Sequence, residues 1–403
     1  MTSETPGRKP IIATMMGDPA GIGPEVCAKA LATGEPQKLS RPILIGDARA
    51  VAAAIAQSSL RLTPNAISSI EQARFDDQSV VVLDSGELKP GDYMTGHPSA
   101  AGGRAVVRWI RLADKLAEAR AIDGWIMGPV DSTSLKLAGE IDNIDDLQPP
   151  STWMFRISGP LRVVPITEHI PIRNVPETVT RSAVLGLIKL VNDTLRRWGI
   201  AAPRIGVAGL NPHAMFDEDK ERIAPAVADA KQSGIDTTGP ISPDSIFRMG
   251  LDGRFDAIVS MYHDQGQIAL KSAAFAGACT IYLGLPFVRL SVPHGTAMDI
   301  AGQGKAQHLS MLAAMKTAAL LAAGAGFLRD FSRAMRDGAG ASAGVMRHLQ
   351  AIAHARHAAR IMGEFLGVIG NIARSDGAAQ RDHARHGGDV DGRVFGKRVI
   401  VQR

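Results

Sequence analysis

A chain of 403 residues, 45% hydrophobic and 21% charged, has the composition of a globular protein with a sizeable core. Its net charge of +5 resides in the tail, where residues 326–403 hold 13 Lys/Arg and 7 Asp/Glu. Totals of 45 and 40 leave 32 basic and 33 acidic residues in 1–325, so the main body has no electrostatic case for nucleic acid. Arg8 and Lys9 lead into no signal-peptide core, and no apolar run reaches the length of a membrane span. With two cysteines, Cys27 and Cys279, the chain offers no disulfide framework; the expectation is a cytoplasmic protein with no membrane partner.

In chain order, residues 10–14 read as a short apolar strand. Residues 16–25 (MGDPAGIGPE) follow as a glycine-bearing turn that opens a helix near Val26. Glycines 17, 21 and 23 let the backbone approach a ligand, and a helix N-terminus favours an anion. The stretch lacks the G-x-G-x-x-G fingerprint, and a plain strand-to-helix turn explains it equally well. Strands are expected at residues 43–47, 80–83 and 125–127, with helices at 48–56 and 102–122. Further strands at 161–166 and 204–210 bracket an amphipathic helix at 179–198. Two more, at 257–261 and 280–284, lie in the stretch richest in polar motifs. Strands alternating with helices predict an α/β fold with much parallel sheet, whose ligands gather at strand ends.

A histidine follows a strand three times, at His169, His213 and His263. Three imidazoles suit a borderline divalent cation and leave positions open for substrate. Their wide spacing also permits separate capping or packing roles. Glu168 and Asp264 adjoin two of them, either as partners orienting imidazole or as plain surface charges.

Several segments together make the chain resemble the 4-hydroxythreonine-4-phosphate dehydrogenase (PdxA) family. They are MGDPAGIGPE at 16–25, NPHA at 211–214, MYHDQG at 261–266, GLPFVR at 284–289 and HGTAMDIAGQGKA at 294–306. The resemblance spans residues 10–325. It implies two α/β domains around a central cleft, as in isocitrate and isopropylmalate dehydrogenases. Residues 1–127 plus 295–325 would form the first domain, 128–294 the second with metal and dimer contacts, and 326–403 a C-terminal extension. It also implies a homodimer with shared active sites and a small hydroxy acid as substrate. His169, His213 and His263 match the family's metal ligands, one supplied across the dimer. The metal would be zinc, or else magnesium, manganese or cobalt. Lys271 and Arg289 match substrate-binding residues, and Thr280 stands where the family has asparagine. Asp264 would orient a ligand or act as a base, and Lys271 would serve in charge balance or proton transfer. NAD or NADP would lie on His294, Gly295, Thr296, Ala297, Asp299 and Gly302. The implied reaction is oxidation of a secondary alcohol, then decarboxylation of the β-keto acid.

Two departures bear on the substrate. Asp131-Ser132 stands where the family has Asn-Lys, and Ser151-Thr152 falls near the family's His-Thr pair. Losing a lysine and a histidine weakens a phosphate grip, so 4-phospho-threonate or erythronate and cyclic dihydrodiol dicarboxylates are alternatives. A phosphotransacetylase-like acyltransferase and a non-catalytic metabolite-binding paralogue are the readings of other classes. The tail has no counterpart in the resemblance. A helix is expected over 345–372, and the Gly-, Arg- and His-rich 375–393 reads as disordered.

Overall fold

The apolar runs become strands of a single twelve-stranded sheet in the computed structural model, which describes residues 8–76, 78–142, 144–273 and 278–325. The strands are β1 (Ile11–Met15), β2 (Arg41–Ile45), β3 (Thr63–Ile67), β4 (Ser79–Leu83), β5 (Gly124–Met127) and β6 (Trp153–Ser158). They continue as β7 (Leu161–Thr167), β8 (Ile205–Ala208), β9 (Thr237–Ile241), β10 (Ala257–Tyr262), β11 (Cys279–Leu283) and β12 (Val288–Ser291). Their spatial order is β3-β4-β2-β1-β5-β12-β11-β6-β7-β10-β8-β9.

Central strands such as β1, β5 and β8 are buried at every position, as a sheet covered on both faces requires. The edges differ. Strand β3 carries Pro64 and β9 carries Pro240, and proline is tolerated where one side of the ladder is unpaired. Two parallel blocks result. Strands β1, β5 and β12 run together, as do β7, β10 and β8. Between the blocks, β11 and β6 introduce three antiparallel pairings, so the blocks run in opposite directions.

The helix Ala100–Glu118 buries Ala105, Val106, Trp109, Ile110 and Ala113, and the Ser99 hydroxyl caps it by accepting from Gly102 N at 3.0 Å. The helix Leu309–Ala322 is apolar nearly all round, because it packs against the helix Gly23–Ala32 and against β5 and β12. The main core runs from β1 to β11, and a second cluster joins Leu161, Val163, Ile246, Phe247, Ile258 and Leu270.

The described residues lie within one compact unit, Met1–Met335, and the expected domain boundaries at 127/128 and 294/295 fall inside it. The α/β class is as expected. Strands β6 and β12 and the helix His263–Ala273 occupy segments to which the sequence reading assigned no strand or helix, being too short or too mixed to show a period. The helix expected over 345–372 and the reading of 375–393 lie outside the described residues.

Candidate active site

His169 lies just past β7, His263 directly follows β10, and His213 follows β8, so three neighbouring parallel strands carry them. The structure brings two together. The rings of His169 and His263 are 4.7 Å apart, tilted by 55°. Each Nδ1 meets a carboxylate: His169 at 2.5 Å from Asp145 Oδ1, His263 at 2.7 Å from Asp264 Oδ1. An ionised carboxylate only accepts, so each Nδ1 is placed as the donor, and in the neutral ring Nε2 is the atom that can meet a metal. Glu168 completes the group, with one ligand atom from each of Glu168, His169 and His263 lying within 4.8 Å of the others. This oxygen and nitrogen donor set fits a borderline divalent cation. A cavity of about 180 Å³ opens beside it, lined by Ile170, Ile172, Val175 and Tyr262.

His213 is not in that group. It sits in the turn Pro212–Ala214 with φ 57° and ψ 9°, near the start of the helix Pro243–Leu251, where hydrogen bonds from Ser242 and Ser245 hold the Asp244 carboxyl below its ordinary pKa. The turn is held by Asp219, fully buried, which accepts from Leu210 N at 2.7 Å and Asn211 Nδ2 at 3.2 Å. Nothing in the sequence pattern marked Asp219, because its partners lie in the chain before it.

The expected anion grip is divided. Lys271, exposed on the helix His263–Ala273, has no ion-pair partner among the described residues. With Arg156, Cys279 and buried Thr280 it lines a small cavity of about 30 Å³. Arg289 is elsewhere, 2% exposed and sandwiched between the rings of Trp125 at 4.6 Å and Tyr282 at 4.9 Å. It donates to Asp114 at 3.3 Å and to the Leu147 carbonyl at 2.9 Å. Burial pushes its pKa down, and the Asp114 carboxylate opposes that shift. Arg156, absent from the sequence reading, binds Glu168 through both Nη atoms, at 3.0 and 2.6 Å.

A larger cavity of about 250 Å³ joins the two blocks. It is walled by Met127–Val130 after β5, by Leu147, Met154 and Tyr282, by His169, and by Val292–Gly295 after β12. His294 turns Nδ1 toward the Gly295 carbonyl at 3.1 Å, and its Nε2 is buried without a partner. Gly295 has open space where a side chain would be. An orphaned ring nitrogen beside an open backbone position fits a polar ligand such as a dinucleotide. Thr296 is buried and accepts through its carbonyl from Ile22 N at 2.9 Å. Ala297 adopts a left-handed conformation, Asp299 is exposed, and Gly302 packs near Thr95.

The glycine loop 16–25 supports this stretch instead of lining the cavity. A Cβ on Gly17, whose φ is +91°, would stand 2.2 Å from the Pro129 carbonyl oxygen, and one on Gly21 2.7 Å from Thr296 Cβ. The buried Glu25 accepts from Ala306 N at 2.7 Å, and Lys29 donates to the Gly304 and Ala306 carbonyls. Asp18 is fully buried; burial pushes its carboxyl pKa up, hydrogen bonds from Ser134 and Ala20 N oppose that, and nearby Asp131 adds a smaller upward push.

The two departures also find their places. Asp131 caps the helix Ser132–Leu137 by accepting from Ser134 N at 2.7 Å, and Ser132 is exposed. Thr152 donates its hydroxyl to the Pro149 carbonyl at 2.6 Å, and Ser151 is exposed with φ 59°. None of these four residues brings a positive charge to the cavity.

The family model described as pyridoxal phosphate biosynthetic protein PdxA matches residues 38–318. A Novosphingobium aromaticivorans protein, provisionally named 4-hydroxythreonine-4-phosphate dehydrogenase, is 42% identical over 319 residues, 79% of this chain and 97% of its own. The crystal structure of a 4-hydroxythreonine-4-phosphate dehydrogenase from Klebsiella pneumoniae aligns with a TM-score of 0.70 at 36% identity, covering 78% of this chain and 99% of that one. A terephthalate 1,2-cis-dihydrodiol dehydrogenase from Burkholderia xenovorans aligns with a TM-score of 0.56 at 27% identity, covering 76% and 96%. Among the described residues, no helix is long and apolar enough to cross a membrane.

Proposed function

Because the chain belongs to the PdxA family and is an oxidoreductase, we propose that it is a metal-dependent, NAD-linked dehydrogenase of hydroxy acids. It oxidises a secondary alcohol, and the resulting β-keto acid loses carbon dioxide. The observation that carries this reading is the pair His169 and His263, each with Nδ1 on a carboxylate and Nε2 free. A divalent cation there supplies Lewis acidity toward the developing alkoxide and enolate. NAD accepts the hydride, and the stretch from His294 to Gly302 holds it.

The chain's own residues divide the remaining work. Asp264 and Asp145 orient the imidazoles, and the Asp264 contact to His263 favours that role over a base. Lys271 sits eight residues along the helix from His263, roughly 12 Å of axial rise, and offers an uncommitted ammonium to the substrate anion. Thr280 adds a hydroxyl beside it. Arg289 stiffens the cavity wall through Tyr282 and Leu147.

A homodimer is part of the proposal. Exposed Ile170, Ile172, Met215, Phe216 and Ile268 cluster in sequence around the histidines, where a second copy would cover them and bring its His213 to the site. The free buried thiols Cys27 and Cys279 suit a reducing cytoplasm.

Positions 131–132 and 151–152 support a second reading of the substrate, an unphosphorylated or cyclic hydroxy acid instead of 4-hydroxythreonine 4-phosphate. Two lost charge-assisted contacts, each about 1.5–3 kcal/mol, would weaken a dianion by two or more decades. NADH absorbance with a panel of phosphorylated and unphosphorylated hydroxy acids, with and without chelator, tests both. A kcat/KM of about 10⁴ M⁻¹s⁻¹ or more on the phosphorylated amino acid overturns the second reading. Turnover indifferent to chelator overturns the metal.

A further inference from the structure

We infer that Glu168 is itself a ligand of the divalent cation, beside His169 and His263 of its own chain, and that Arg156 is its positioning residue. This rests on the metal reading above and goes beyond it, since the sequence offered Glu168 only as an orienting partner or a surface charge.

Three observations carry it. The first is reach: one ligand atom from each of the three side chains falls within a 4.8 Å group, and His213 is outside it. The second is division of labour. The imidazoles already have their orienting carboxylates in Asp145 and Asp264, so Glu168 is not needed for that task. Arg156 on β6 reaches across to Glu168 at the end of β7, and the two side chains are 8% and 16% exposed. The guanidinium takes one direction on each carboxylate oxygen, at 3.0 and 2.6 Å, and a third hydrogen bond to the Met154 carbonyl at 3.3 Å helps fix it. A carboxylate offers about four lone-pair directions, so a cation can still be met by those that remain.

The third observation is charge. Around the two imidazoles stand three carboxylates, Glu168, Asp145 and Asp264, and one guanidinium, Arg156. Among these groups acid outweighs base, the sign that favours a cation. Were Glu168 only the salt-bridge partner of Arg156, its loss would change stability and leave cation binding alone.

The test uses full-length protein stripped with chelator and titrated with Zn²⁺ or Co²⁺ alone. Glu168→Gln should weaken binding by roughly 100-fold, at the upper end of what outer partners cost, and should shift the visible Co²⁺ spectrum as an oxygen donor is lost. Glu168→Asp keeps the charge on a shorter arm and should fall between. Arg156→Gln should weaken binding by roughly 10-fold, with partial rescue in Arg156→Lys. Thermal midpoints in chelator report folding separately. Wild-type affinity and spectrum in Glu168→Gln would overturn the inference and leave the metal reading standing. If the unmodified protein binds neither ion, both fall. Normal binding in Arg156→Gln with loss in Glu168→Gln would overturn the positioning role alone.

Discussion

The two parallel blocks of the sheet handle their loops in opposite ways. After β1, β5 and β12 the loops are packed into one another: Gly17 against Pro129, Gly21 against Thr296, Glu25 and Lys29 onto residues 304–306. After β7, β10 and β8 they carry half-exposed histidines and exposed apolar side chains, with polar atoms facing open space. The first block uses its glycine loop to hold a shape, and the second leaves its histidines open to a ligand. Motif residues alone therefore do not say whether a substitution will cost folding or chemistry; the neighbours decide it.

That contrast is sharpest at His263. His263→Ala should fold normally, keep its thermal midpoint in chelator, and lose about 10³-fold in kcat/KM, near 4 kcal/mol. A large loss of thermal stability would erase the distinction between the blocks. Gly17→Val is the counterpart: a side chain meeting backbone at a positive φ should cost about 3 kcal/mol or more by urea unfolding. A variant as stable as its parent would show that the glycine loop is not a packed scaffold. His213→Ala should weaken metal by roughly 10-fold in the assembled protein, about 1.4 kcal/mol. Equal metal content with the unmodified protein would remove His213 from the site.

A smaller effect concerns Asp18. Its raised pKa means the folded protein binds this proton more tightly than the unfolded chain, whose ordinary value is 3.8. As pH climbs above that value the unfolded state releases the proton first, so the Asp18 contribution to stability declines with rising pH. Asp18→Asn, which keeps an acceptor for Ala20 N, should flatten the dependence of Tm on pH in that window. An unchanged slope would mean the carboxyl is not held protonated. The smallest effect is expected from deleting residues 331–403, because the family match ends at residue 318. The shortened chain should keep its activity and remain a dimer by light scattering; aggregation or a monomer would make the tail part of the fold.

Much of this was legible in the amino-acid order. Largely apolar runs marked β1, β5 and β10, and a 3.6-residue period marked Ala100–Glu118 and Arg181–Arg197, because burial on two faces or on one stripe writes itself directly into composition. Histidines after three strands were visible too, and strand order then made those strands neighbours. Only the tertiary structure decided which groups meet. Arg289 sits in a family motif, yet it lies in β12 between two rings that come from β5 and β11. Arg156 had no place in the sequence reading; the antiparallel pairing of β6 with β7, Arg156 opposite Val163, brings it within reach of Glu168 just past β7. Strands of four to six residues are too short to announce which face they present. A side chain's partner is fixed by register across the sheet, and that register is a property of the packed chain, not of its local sequence.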